Sequence, residues 1–129
     1  MPVKETALTS ANFDQLRLAM APDPVGFAAL YREYLTDAWQ ALQLIRESLQ
    51  KQEFYEVKVR AHSLKGSSLL LGAHVLACHA ARFEDAAVAT NLSESGAVLE
   101  DMQQALRDVQ RELVNRLGPD VLPAGATAA

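Results

Sequence analysis

EFYEVKVRAHSLKGSSLLLGA, residues 53–73, decides the fold class. Phe54, Val57, Ala61, Leu64, Ser68 and Leu71 recur at alternating steps of three and four, the period of one face of an α-helix. Gly72 stands where such a helix would end. The spacing predicts a helix over 53–71. Working outward, prolines occur only at 2, 22, 24, 119 and 123, so the chain from 25 to 118 is free of the strongest helix breaker. Long helices should fill that interval.

Upstream, Asp23 as N-cap and Pro24 at the first helical position open a helix that runs to about 51. Phe27, Leu30, Tyr34, Ala38, Leu42, Ile45 and Leu49 form its inner stripe. A shorter helix begins near Thr9 or Ser10, sets Phe13 and Leu16 on one side, and stops before Pro22. Downstream, a helix with Leu76, Ala80, Phe83 and Ala87 inward follows Gly72 at once. Asn91 and Glu94 then read as a capping box for a last helix, with Leu99, Met102, Leu106, Val109, Leu113 and Leu117 inward and Gly118-Pro119 as its stop. Amphipathic helices joined by short connections pack as neighbours. The expected fold is all-α: an antiparallel up-down-up-down four-helix bundle over 9–118, with the short additional N-terminal helix laid across one end. Residues 1–8 are expected to be flexible and 119–129 to form a disordered tail.

Composition narrows the function. The 129 residues suit one domain, and 50% hydrophobic content with only 6 Gly and 5 Pro argues for a globular chain. Twelve Lys and Arg against 16 Asp and Glu give a net charge of −4, which disfavours nucleic acid as a partner. The single cysteine, Cys78, allows no internal disulfide and no multi-cysteine zinc site, which fits a reducing compartment. The first residues do not read as a signal peptide, and no apolar run approaches the roughly 20 residues of a membrane span. A soluble, cytoplasmic protein is expected.

One helix face is unusual. At about 100° per residue, His62 points roughly 130° away from the centre of the 53–71 stripe, toward solvent. Lys58, Lys65, Gly66 and Leu69 share its face, and Tyr55 and Val59 lie on the same side. A histidine amid two lysines, a glycine and exposed apolar side chains suits docking better than solubility alone. A solvent-facing neutral imidazole is a competent nucleophile that can hold a phosphoryl group as a phosphoramidate. Lys65, one turn on, can neutralise phosphate. Glycine costs about 1 kcal/mol in a helix interior, so Gly66 suggests close approach of a partner, or close packing between helices.

The segment from Ala61 through Ser68, His-x-x-Lys-Gly-Ser in pattern, followed by Gly72-Ala73 and later Phe83-Glu84, resembles the histidine-containing phosphotransfer (HPt) family. The resemblance implies a four-helix bundle whose histidine relays phosphoryl groups to and from the aspartate of response-regulator receiver domains, with a sensor (hybrid) histidine kinase as a further partner. It implies His62 as phosphoacceptor, Lys65 as the phosphate-neutralising lysine, Gly66 as the residue that admits the receiver, and Glu84 as a polar group reaching the histidine from the next helix. Mg²⁺ would come with the receiver, the chain needing no cofactor of its own. Leu69-Leu70-Leu71 is more apolar than the small or polar residues common there.

No nucleotide-binding glycine loop or Mg²⁺-binding acidic cluster is visible, so the chain reads as a phosphotransfer intermediate without kinase activity of its own. The rival reading is a helical adaptor that binds a receiver or kinase domain without being phosphorylated. A small all-α enzyme is weaker, because a compact bundle of this length rarely has room for a pocket. His74 and His79, five apart, do not share a helix face, and no metal site is expected. Cys78 is expected to be an inert, partly buried thiol, and Tyr31, Tyr34 and Trp39 to serve packing.

Overall fold

The computed structural model describes residues 7–123. Six α-helices follow in order: α1 (Ser10–Ala19), α2 (Pro24–Gln50), α3 (Phe54–Leu71), α4 (His74–Arg82), α5 (Ala86–Thr90) and α6 (Leu92–Leu117), then a 3-10 turn at Pro119–Val121. Among the described residues there is no strand. Packing runs α2 on α3, α3 on α4, α4 on α6 and α6 on α2, which closes a four-cornered bundle with α3 and α6 on a diagonal.

Local chemistry sets the ends of these helices. The Asp23 side chain accepts from the Gly26 N–H at 2.9 Å, and Asn91 Oδ1 accepts from the Glu94 N–H at 3.1 Å, so both expected N-caps form. Gly72 ends α3 with φ +88°, and the Ala73 N–H returns to the Ser68 carbonyl at 2.8 Å. The Gly72 carbonyl also accepts from the Thr9 N–H at 2.8 Å. A Cβ at Gly72 would lie 2.9 Å from that of Asn12, so the turn and the seating of α1 both require glycine there.

The predicted stripes are the core. Phe27, Tyr34, Ala38, Leu42, Ile45 and Leu49 of α2, Val57, Ala61, Leu64, Ser68 and Leu71 of α3, and Leu99, Met102, Leu106, Val109 and Leu113 of α6 are buried. Leu30, Phe54 and Leu117 are half-buried at its edge. Phe13 brings α1 onto the bundle end, its ring centroid 5.2 Å from that of Phe27, and the Arg116 guanidinium lies 4.9 Å over the Phe13 ring. Tyr31, also buried, donates its hydroxyl to the Leu71 carbonyl at 3.0 Å, satisfying one of the last carbonyls of α3. Trp39, half-buried, donates to Gln110 Oε1 at 2.8 Å.

Four features differ from the sequence expectation. The fourth helix is not continuous: it ends at Arg82, and Asp85 caps a new short helix by accepting from the Ala87 N–H at 2.8 Å. Ala87 therefore faces solvent, and Ala89 is buried in its place. Residues 119–123 do not belong to a disordered tail, because Val121 is fully buried on the core and the 3-10 turn packs on α2 and α6. At the other end Leu8, expected to be flexible, is fully buried too. Residues 1–6 and 124–129, the rest of those two expectations, lie outside the described residues. Cys78 is exposed rather than partly buried.

One buried polar pair links α2 to α3. Tyr34 Oη and Ser68 Oγ lie 2.7 Å apart, and burial pushes the Tyr34 phenol well above its ordinary range, so it stays protonated. Ser68→Ala should cost about 1–3 kcal/mol by leaving that phenol unpaired. Tyr34→Phe should cost less through hydrogen bonding, since a helical serine can turn its hydroxyl back to a carbonyl of its own helix. Denaturant unfolding of both single variants and the double variant checks this. The double variant should lose less than the sum, and strict additivity would contradict the pairing.

Candidate functional site

α3 displays His62 because the residues that anchor the helix, Val57, Ala61, Leu64, Ser68 and Leu71, all lie on its other side. The His62 side chain is 71% exposed. Around it Tyr55, Val59 and Leu69 are exposed, and Lys58 is half-buried. Gly66 sits one turn beyond, and a Cβ there would meet nothing within 4 Å. Packing inside this chain therefore does not explain Gly66, which removes the helix-packing alternative.

The break after α4 completes the site. Phe83 is fully buried and pins the turn, while the next residue, Glu84, is directed toward α3. Glu84 thus reaches the histidine from a turn, not from a helix. Its Oε1 lies 2.6 Å from Lys65 Nζ and 3.3 Å from His62 Nδ1. The Lys65 ammonium holds the Glu84 carboxyl below the usual carboxylate range; partial desolvation opposes that shift and the His62 contact adds to it. Glu84 is consequently ionised at neutral pH and can only accept hydrogen bonds. A neutral His62 meets it by donating from Nδ1–H, which leaves the Nε2 lone pair turned to solvent.

This arrangement offers an exposed nucleophilic nitrogen, a cation one helical turn away, and an open approach over Gly66. The contact between Lys65 and Glu84 was not foreseen; the three-residue step from His62 to Lys65 brings both within reach of one carboxylate. His74 and His79 lie elsewhere. His74 Nδ1 is 3.3 Å from the Thr9 hydroxyl, and His79 is 3.5 Å from Arg82, which itself pairs with Asp101 of α6 at 3.1 Å. Among the described residues no helix is long and apolar enough to cross a membrane.

Comparison with known proteins agrees with this fold. The crystal structure of histidine-containing phosphotransfer protein B from Pseudomonas aeruginosa PAO1 is similar in fold, with a TM-score of 0.78 at 22% identity, over 88% of this chain and 96% of that one. No curated protein sequence matches. The family profile of the Hpt domain matches residues 29–112, from the first turns of α2 almost to the end of α6 and across the whole of α3. The chain therefore belongs to the Hpt-domain family, whose members serve as histidine phosphotransfer intermediates in two-component signalling.

Proposed function

We propose that this protein is a phosphorelay intermediate that accepts a phosphoryl group on His62 and exchanges it with the aspartate of response-regulator receiver domains. The observation that carries the reading is the cluster of His62, Lys65 and Glu84 on an open helix face. Nε2 attacks the phosphorus of an aspartyl phosphate, the N–P bond forms as the acyl O–P bond breaks, and the aspartate leaves as a carboxylate. The Nδ1 proton stays on the ring, and the Glu84 carboxylate balances the positive charge that the ring acquires. Lys65 faces the incoming phosphoryl oxygens. Gly66 leaves room for the receiver, and Tyr55, Lys58, Val59 and Leu69 form the nearby contact surface.

Mg²⁺ would be held by the receiver rather than by this chain, and would supply charge neutralisation at the phosphoryl group there. A sensor or hybrid histidine kinase is the source of phosphate upstream. The protein acts in the cytoplasm as a cosubstrate without kinase activity, with neither nucleic acid nor membrane as partner.

Incubation with a panel of phosphorylated receiver domains, ranked by initial rate, tests the proposal. Label should pass to this chain from at least one of them. Stable binding without transfer would favour the adaptor reading instead. Lys65→Ala should slow transfer roughly tenfold to hundredfold, because a charge-assisted contact to phosphate is worth about 1.5–3 kcal/mol. An unchanged rate at low ionic strength would remove Lys65 from the reaction.

A further inference from the structure

One carboxylate oxygen serves two partners in the site. Glu84 Oε1 lies 2.6 Å from Lys65 Nζ and 3.3 Å from His62 Nδ1. Charge-assisted bonds between an ammonium and a carboxylate settle at about 2.7–2.9 Å, so the lysine holds this oxygen closely while the imidazole meets it only at the outer reach of a hydrogen bond. The neighbouring charges are engaged elsewhere. Asp85 caps α5, Arg82 of α4 pairs with Asp101 of α6, and Arg60 faces Glu56. Glu33 and Asp37 of α2 lie on the Arg60 side of α3, and α1 meets that helix at its Gly72 end. Lys58 shares the face of His62, and among the described residues the ion pairs of Glu84 are those with Lys65 and His62. In the resting site the carboxylate belongs to Lys65.

A phosphoryl group on Nε2 upsets this balance. It brings about −1.5 to −2 of charge within reach of the same ammonium, which then faces two anions, the phosphoryl group being the stronger. The ring changes as well: with Nε2 bonded to phosphorus and Nδ1 still protonated it is a cation, and it attracts the carboxylate that the lysine gives up. We propose that phosphorylation hands Glu84 over from Lys65 to His62, and that the carboxylate then keeps the proton on Nδ1 of the phosphorylated ring. Given the relay reading above, this adds control over how readily the phosphate leaves. In the outgoing step an oxygen of the receiver aspartate, or of water, bonds to phosphorus as the N–P bond breaks and its electron pair returns to Nε2. With Nδ1 protonated the leaving group is a neutral imidazole; without that proton it would be an imidazolate, a far poorer one. Glu84 is thus a positioning residue that acts through the ring, and the chain is a carrier of phosphate rather than a store.

The test loads His62 with phosphoramidate, Nε2 displacing ammonia, so that no receiver is needed. In ¹⁵N-labelled parent and Glu84→Gln chains, the Nδ1 signal of His62 is followed from mildly acidic to alkaline pH, before and after phosphorylation, together with the decay of phosphate. Glutamine keeps an acceptor oxygen and removes only the charge. After phosphorylation the parent ring should keep its proton about one pH unit or more higher than the variant ring, and parent phosphate should decay about tenfold faster in the alkaline range. At mildly acidic pH, with both rings protonated, the two should decay alike. Before phosphorylation the displacement between the two titrations should be smaller, because Lys65 then holds the carboxylate. Coincident titrations after phosphorylation overturn the proposal, an equal displacement before and after overturns the hand-over, and a decay difference that is the same at every pH shows a merely structural role. Because loading needs no receiver, any of these failures leaves the relay reading standing, whereas the expected profiles in a chain that exchanges phosphate with no receiver would support the hand-over and remove the relay.

Discussion

His62→Gln is expected to take up no phosphoryl group from any phosphorylated receiver, with labelling at the level of a protein-free control. Glutamine keeps the length and polarity of the side chain but has no nucleophilic ring nitrogen, so the chemical step has nothing to form a bond with. The fold should be untouched. The side chain is 71% exposed and its contacts are confined to the surface cluster with Glu84, so helical circular dichroism and unfolding midpoint should match the parent. Acid-labile phosphate that persists on the variant, or that maps to His74 or His79, would sink the assignment. Neither of those histidines has the combination of lysine, carboxylate and open approach found at His62.

Gly66→Gln should move stability and function in opposite directions. Removing a glycine from the interior of α3 raises helix propensity by up to about 1 kcal/mol, and the new side chain meets no neighbour in this protein. The same side chain fills the space that a receiver enters beside His62. Forcing extra atoms into a fitted contact costs roughly 1–3 kcal/mol, which corresponds to a loss in transfer rate of about fivefold to 150-fold. A small donor such as phosphoramidate needs less clearance, so its reaction with His62 should fall far less. Equal losses with both donors would mean that Gly66 shapes the histidine itself. A lower melting temperature would contradict its exposed placement.

Much of this was legible in the sequence because helix periodicity and capping are local. The stripes of α2, α3 and α6, the caps at Asp23 and Asn91 and the stop at Gly72 depend on residues within a turn or two of each other. The outward aspect of His62 follows from the same arithmetic. Features set by tertiary packing were harder to read. The segment 80–89, with five alanines and neither proline nor glycine, reads as one helix, yet burial of Phe83 and capping by Asp85 divide it. That division sets the location of Glu84, so its contact with Lys65 could not be derived from spacing along the chain. Leu8 and Val121 seal the core from outside any periodic pattern, and nothing local marks them as buried.

The most direct measurement is to identify the nitrogen that carries phosphate. Chain labelled with ¹⁵N, phosphorylated by a receiver and kept at neutral to alkaline pH, can be read by long-range proton–nitrogen and phosphorus spectra. Glu84 occupies Nδ1 of His62, so the phosphoryl group should appear on Nε2 of that residue and on no other side chain. Phosphate on Nδ1 would contradict the role given to Glu84, and phosphate on another residue, or none on a chain that still binds its receiver, would contradict the account as a whole.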